Sequence, residues 1–292
     1  MNVRPATPAD AEAVADLFNA LEVALLGHRT SFDAEGVRGW WQTIAYETNT
    51  WLFEEDGALV AATGGQVFDG TGNSAGGVHP DAFGRGLGTR LLELVENRFV
   101  EENATRMHSW TIAADERGND LFSRRGFREV RRFWDMAIEL DDELPEPLVA
   151  IEVFGEDDAP GFHAALEEAF ADHWEHTPEP FEKWWSRQQA RANYDPSLWL
   201  LIRDADEIVA VCRNEARPSG GYVGAIGVRR AWRGRGYAKA LLHRAFREFR
   251  RRGMTHASLG VDASNPTGAT RLYESVGMHV EVEHIVWEKS LP

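Results

Sequence analysis

The sequence predicts a mixed α/β (α+β) protein built as two tandem copies of one domain, and three observations carry that reading. The chain has 292 residues, which at roughly 100–200 residues per domain leaves room for two, each with its own core. The segment Val78-His79-Pro80-Asp81-Ala82-Phe83-Gly84-Arg85-Gly86-Leu87-Gly88 matches Val228-Arg229-Arg230-Ala231-Trp232-Arg233-Gly234-Arg235-Gly236-Tyr237-Ala238, 150 positions later. A second landmark, Leu121-Phe122-Ser123-Arg124-Arg125-Gly126-Phe127, matches Leu272-Tyr273-Glu274-Ser275-Val276-Gly277-Met278 at a spacing of 151. Two distant landmarks in one register mark a duplication, and a duplication fixes the architecture. The copies are expected at 1–140 and 151–292, with 141–150 as the linker. There Asp141-Asp142-Glu143-Leu144-Pro145-Glu146-Pro147 interrupts both helix and strand patterns with acids and two prolines.

Taken in order, Thr7 followed by Pro8 and Asp10 is a helix-start signal, after which Val14, Leu17, Phe18, Leu21 and Leu25 recur at helical spacing. Residues 51–62 read as strand, Asp56-Gly57 turn and strand; residues 198–210 read the same way around Asp204-Ala205-Asp206. After each glycine segment comes an amphipathic helix. Leu91, Leu92, Val95 and Phe99 define the first, and Ala238, Leu241, Leu242, Ala245, Phe246 and Phe249 the second. Strands at 108–113 and 256–261 follow.

Composition narrows the function. Apolar residues are 43% of the chain, charged residues 27% and aromatics 11%, which suits a globular protein. The single cysteine, Cys212, closes no intrachain disulfide and builds no thiolate metal site, so a cytoplasmic protein without a metal is expected. No apolar signal core opens the chain and no run of about 18 uncharged apolar residues occurs, so neither export nor membrane association is expected. A net charge of −16, from 31 basic and 47 acidic residues, repels nucleic-acid phosphates and favours cationic small molecules.

The glycine segments lie where a strand gives way to a helix. Glycine permits close backbone approach there, and the unsatisfied N–H groups of a helix start suit a phosphate. No Lys-Ser/Thr ending marks a nucleotide-triphosphate loop, and the acidic residue of a dinucleotide fold is not evident downstream. Arg229, Arg230, Arg233, Arg235 and Lys239 cluster around the second segment of an otherwise acidic chain, as a polyanionic ligand requires. Arg244 to Arg252, further along the helix, read as a solvated helix face.

The segment Arg233-Gly234-Arg235-Gly236-Tyr237-Ala238 resembles the Arg/Gln-x-x-Gly-x-Gly/Ala signature of the GNAT superfamily of acyl-CoA-dependent N-acyltransferases. Asn265-Pro266-Thr267-Gly268-Ala269-Thr270-Arg271-Leu272-Tyr273-Glu274-Ser275-Val276-Gly277-Met278 looks like the closing motif of the same family. The resemblance implies mixed, mainly antiparallel sheets flanked by helices. It also implies that the loop amides of residues 233–238 hold the pyrophosphate of acetyl-CoA, the co-substrate, that Ile226-Gly227-Val228 pair with its pantetheine arm, and that Asn265 belongs to the same cofactor site. Tyr273 is then the general acid that protonates the departing thiolate, a role a phenol with pKa of about 10 can fill at neutral pH. The strand 222–228 carries no acid, so the base for the incoming ammonium stays open among Glu215, Asp262 and His173.

The first copy keeps its loop, with Val78, Gly84, Arg85, Gly86, Leu87, Gly88 and Thr89 as the corresponding cofactor residues, but Phe83 stands for the leading Arg/Gln and Phe122 for the tyrosine. Phenylalanine donates no proton, so the first copy is expected to be catalytically degenerate. A tandem layout with chemistry in the second copy is similar to that of the mycothiol synthase branch of the family. The expected reaction is acetyl transfer to a primary amine of a small molecule by direct attack in a ternary complex. The alternatives are a non-catalytic acyl-CoA-binding regulatory protein and a peptide or protein N-acetyltransferase. Segment 172–185, dense in aromatics and acids, is the candidate acceptor surface or, equally, core packing. Both a monomer and a homodimer fit the sequence.

Overall fold

The computed structural model describes residues 1–28, 33–141, 144–191, 193–265 and 267–292. Asp142 and Glu143 of the expected linker and Pro266 of the closing motif lie outside the described residues. The chain divides into two compact units, Met1–Phe133 with Val282–Pro292, and Trp134–Glu281.

In the first copy β1 (Asn2–Arg4) leads to a short turn in which the Asp10 carboxylate accepts 2.7 Å hydrogen bonds from the Thr7 amide and hydroxyl. That capping starts α1 (Ala11–Leu26), which buries Ala11, Val14, Ala15 and Leu17 and stops at Gly27, φ +81°. The short helices α2 (Ala34–Trp41) and α3 (Tyr46–Asn49) precede β2 (Thr50–Glu55) and β3 (Ala58–Phe68), joined by the expected Asp56-Gly57 turn. Next come β4 (Thr71–Val78), α4 (Leu87–Glu101), β5 (Arg106–Ile112), α5 (Glu116–Arg124) and β6 (Arg128–Glu139). Strands β1 to β4 pair antiparallel and β4 pairs parallel with β5.

The second copy repeats the order: β7 (Glu152–Val153), α6 (Ala159–Phe170), α7 (Phe181–Gln189), β8 (Leu200–Asp204), β9 (Glu207–Arg217), β10 (Gly220–Val228), α8 (Tyr237–Arg251), β11 (His256–Asp262), α9 (Ala269–Glu274) and β12 (His279–Ser290). Again β7 to β10 are antiparallel and β10 pairs parallel with β11. These are mixed, mainly antiparallel sheets flanked by helices.

The repeat has a packing reason at two glycines per copy. A Cβ on Gly72 would meet the Phe99 ring of α4 at 2.1 Å, and one on Gly221 would meet the Phe249 ring of α8 at 2.2 Å. On the opposite face, a Cβ on Gly77 would meet Leu21 of α1 at 2.9 Å and one on Gly227 would meet Ala169 of α6 at 2.6 Å. Glycine here seats helices on both faces of the strand that leads into the loop. Because Phe249 is fully buried, Gly221→Ala is expected to cost about 1–3 kcal/mol, read as a lowered denaturation midpoint. An unchanged midpoint would mean that the ring is free to move.

The units do not coincide with the sequence copies. Residues 134–139 of β6 stand beside β11 in the second unit. In return β12 pairs antiparallel with β5 of the first, from His284 opposite Ile112 to Ser290 opposite Arg106. The duplication in sequence falls at 141–150, whereas compactness divides the chain at 133/134 and 281/282, because each copy lends its last strand to the other unit. The returning strand is held by Glu288, whose carboxylate accepts from His108 at 3.0 Å and from Arg128 and Arg106. No helix among the described residues is long and apolar enough to cross a membrane.

Candidate active site

Both glycine loops adopt the backbone that only glycine takes without strain: φ is +75° and +76° at Gly84 and Gly86, and +77° and +80° at Gly234 and Gly236. Nothing lies within 4 Å of a Cβ position at any of the four. Gly86 and Gly236 are the N-caps of α4 and α8, and neither helix start has a side-chain cap. The first-turn N–H groups, at Leu87-Gly88-Thr89 and Tyr237-Ala238-Lys239, therefore lack a capping side chain, and the helix dipole adds its positive end.

Before each loop two parallel strands part. Strand β4 is paired with β5 from Thr71 to Ser74, leaving Ala75–Val78 unpaired on that side. Strand β10 is paired with β11 only at Gly221 and Tyr222, and its register against β9 shifts between Val223 and Ala225, a bulge that turns it away. Ile226, Gly227 and Val228 are paired on their β9 side and have no partner toward β11. In the first unit the wedge holds a cavity of about 620 Å³ reached by Val78, the loop residues Gly84 and Gly86, Trp40 and Phe122.

The loop arginines of the second unit are engaged by acids. Arg233 donates from Nε to the Val228 carbonyl at 3.2 Å and from its terminal nitrogen to the Ala169 carbonyl at 3.3 Å, with Asp172 at 3.8 Å. Arg230 pairs with Asp172 at 2.5 Å, Arg229 with Glu168 at 3.2 Å, and Arg235 approaches Asp204 at 3.9 Å. In the first unit Arg85 pairs with Glu55 at 2.7 Å. On α8, Arg244, Arg251 and Arg252 gather on Glu248, and Arg247 reaches Glu146, so these outer arginines fasten the helix.

Tyr273 lies on α9, 7% exposed, and its hydroxyl makes no hydrogen bond to a described residue. Burial pushes its phenol above the ordinary value, with Cys212 and Tyr222 adding to the shift, so the proton is held and uncommitted. Phe122 takes the matching place on α5, edge-on to Phe127 and stacked on Trp287. Asn265 turns its side-chain oxygen back to the Thr267 amide at 2.8 Å and its nitrogen toward His173 at 3.5 Å. It stands beside the end of α6.

Of the candidate bases, Glu215 is unsuited. Burial alone would raise its pKa, but Arg213, Arg191 and Arg217 outweigh that and hold it down at about 2, leaving no proton affinity at neutral pH. His173, half-buried against Phe170 at 4.3 Å, is shifted below ordinary imidazole chiefly by burial, Asp262 opposing; it is neutral at pH 7. Asp262 accepts from the Ser264 amide at 2.8 Å. Cys212 is fully buried, its thiol raised to about 12 by burial, which disqualifies it as a nucleophile.

In segment 172–185 Trp184 is buried and the other residues are half-buried or exposed. Trp184 is 5% exposed among Phe162, Trp185 and Trp199, Glu179 pairs with Arg187 at 2.5 Å, and His176 faces Glu167 at 3.2 Å. Among the described residues no group of three or more His, Cys, Asp or Glu is placed to hold a metal ion. The sequence reading missed the arginines around Glu215. Their signal was present in Arg213, Glu215 and Arg217, charged residues at every second position of a strand, hence on one face.

The description "Acetyltransferase (GNAT) family" matches residues 13–127 and again 160–278. The chain is 32% identical over 213 residues to a mycothiol acetyltransferase of Thermobispora bispora, covering 68% of this chain and 70% of that one. A GCN5-related N-acetyltransferase from Sphaerobacter thermophilus has a crystal structure that superposes with a TM-score of 0.87 at 33% identity, over 99% of this chain and 95% of that chain. A tandem GNAT protein from the clavulanic acid biosynthesis pathway shares the fold, with a TM-score of 0.70 at 13% identity, over 99% of this chain and 98% of the other.

Proposed function

Because this chain belongs to the acetyltransferase (GNAT) family and carries two of its domains, we propose that it moves an acetyl group from acetyl-CoA to a primary amine of a small molecule, using the second copy for chemistry. One contrast supports this reading above all. The second copy has an uncommitted, protonated phenol at Tyr273 where the first has Phe122, beside strands that part in both. The mycothiol acetyltransferase named among the relatives supports a small-molecule acceptor.

The steps follow from the site. The loop amides of residues 233–238 and the loop arginines take the pyrophosphate, releasing Asp172 and Asp204 from their present pairs. Ile226, Gly227 and Val228 receive the pantetheine arm along the unpaired side of β10. The neutral amine attacks the thioester carbonyl carbon, a C–N bond forms, and the C–S bond breaks as the electron pair leaves on sulfur. Tyr273 gives its proton to that sulfur, and the proton shed by the acylated nitrogen restores the phenol through solvent, so that amine and acetyl-CoA become amide and CoA thiol. No covalent enzyme intermediate is required.

The first copy, 1–140, is proposed to be catalytically silent, its loop residues Val78 and Gly84 to Thr89 holding acetyl-CoA without turning it over. A pair of loop variants tests the division of labour. A side chain at Gly236 meets a φ of +80°, a strained conformation for L residues, so Gly236→Val is expected to raise the KM for acetyl-CoA at least tenfold. Gly86→Val, at φ +76°, is expected to remove one CoA equivalent in equilibrium binding while leaving turnover within twofold. Loss of turnover on Gly86→Val, with Gly236→Val active, would reverse the assignment.

A further inference from the structure

The face of β9 and β10 beside the parting strands of the second unit carries an excess of positive charge. Glu215, 2% exposed, is fully occupied: its two oxygens accept from Arg191 at 2.7 Å, Arg213 at 2.5 Å, Arg217 at 3.0 Å and Asn193 at 2.8 Å. Among the described residues it is the one acidic partner of these three arginines, so three guanidiniums share a single carboxylate.

This cluster lies against the bulge where β10 leaves β11. Arg213 donates to the Gly224 carbonyl at 3.2 Å, and a Cβ on Gly224 would meet Arg213 at 2.8 Å and Glu215 at 2.9 Å. Tyr222, the last β10 residue paired with β11, stands opposite Glu215 in the β9 ladder and carries the Arg217 guanidinium over its ring at 3.3 Å. Across the ladder Gly260 of β11 leaves the floor bare, with the Tyr222 hydroxyl and an Asp135 oxygen 3.7 and 3.5 Å from where its Cβ would be. The floor is thus bordered by guanidiniums on one side and a carboxylate on the other.

From Tyr222 to Val228 is six residues of strand, about 20 Å at about 3.3 Å per residue. The glycine loop lies beyond that end, so these arginines are a whole strand away from the pyrophosphate position. An anion that meets them comes with the acceptor. The cluster invites one: Arg213 is pulled down by burial and by Arg191, with Glu215 opposing, and a further negative charge relieves that repulsion. Arg191 and Arg217 keep 30% and 38% of their side chains exposed, and each has N–H groups beyond those given to Glu215.

Resting on the acetyltransferase reading above, we propose that the acceptor is an amine bearing its own anionic group, a carboxylate or a phosphate, which Arg217 and Arg191 bind while Glu215 holds them in place. The anion is recognised on the β9 side and the amine is turned over the Gly260 floor toward the parting of β10 and β11. Glu215 is a positioning residue in this scheme, because its oxygens are spent on the arginines.

Matched acceptors test the proposal on the full-length protein saturated with CoA: glycine against glycinamide, leucine against leucinamide, and O-phosphoethanolamine against ethanolamine, by calorimetry, with acetyl transfer from acetyl-CoA followed in parallel. At least one anionic member is expected to bind tenfold or more tightly than its neutral partner, the arm showing whether carboxylate or phosphate is preferred. Arg217→Gln and, separately, Arg191→Gln are expected to cut that preference to under threefold while CoA affinity stays unchanged. Equal affinity within every pair, no binding of any anionic member, or a preference that survives both substitutions overturns the proposal. An anionic amine that binds through Arg217 but is never acetylated upholds the anion site and counts against the acetyl-transfer reading. Neutral and anionic amines acetylated alike remove the anion site and leave that reading standing.

Discussion

Tyr273→Phe is expected to lower turnover at least tenfold while leaving acetyl-CoA affinity near that of the unaltered protein. Tenfold is about 1.4 kcal/mol of transition-state stabilisation, a modest demand on a positioned proton donor, since general acids contribute about 10²–10⁴-fold. The substitution is structurally mild because the protein already accommodates it: Phe122 occupies the matching place in the first unit, buried and stacked on Trp287. The variant therefore isolates one hydroxyl. Burial raises the Tyr273 phenol above its ordinary 10.0, so the donor form is fully present at neutral pH and persists beyond pH 10. An alkaline loss of activity below that point would come from another group. CoA release and calorimetry on both proteins check the split; equal turnover removes Tyr273 from the mechanism.

Glu215→Gln is expected to cost about 3–5 kcal/mol of stability, the range for removing one partner of a buried ion pair. Glutamine keeps the shape and loses the charge, leaving Arg191, Arg213 and Arg217 to repel one another around a neutral amide. Acid titration gives an independent signature. The carboxyl titrates at about 2 in the folded protein against an ordinary 4.5, so its stabilisation is fully present above the ordinary value and is lost as pH falls through about 2. Denaturant midpoints between pH 5 and 2 should therefore fall more steeply for the unaltered protein than for the variant. Parallel curves would mean that the arginines find other counter-charges once Glu215 is gone.

Much of the fold was legible because its signals are local or repeated. The Thr7-Pro8-Asp10 start, the Asp56-Gly57 turn and the 3.6-residue stripes of α4 and α8 all lie within single elements, and the glycine loops repeat in register. The pairing of the twelfth strand was not legible. Repetition reports that β6 and β12 are equivalent in sequence, but it is silent on which β5-like neighbour each one joins, and both choices satisfy the same pattern of alternation. Sequence motifs marked the loops and Tyr273 as candidates, because glycine geometry and a lone phenol are properties of single residues. The arginine cluster needed tertiary information. Arg191 comes from the segment after α7 and meets Glu215 only when α7 is placed on the sheet. In segment 172–185 Asp172 and Glu179 looked available for a cationic ligand until they were found against Arg230 and Arg187.

The strand that closes the first unit is made long after the strand it pairs with. Arg106–Ile112 finds its antiparallel neighbour in His284–Ser290, so as the chain emerges from the ribosome the amino-terminal half must wait, its β5 edge unsatisfied, until the second copy has been made. Such an edge is a template for the wrong partner, and a long-range closure of this kind is slow to form. Cutting the gene at the repeat boundary would give two polypeptides, each missing its own finishing strand and carrying one that belongs to the other. The exchange of last strands therefore ties the two copies to a single polypeptide.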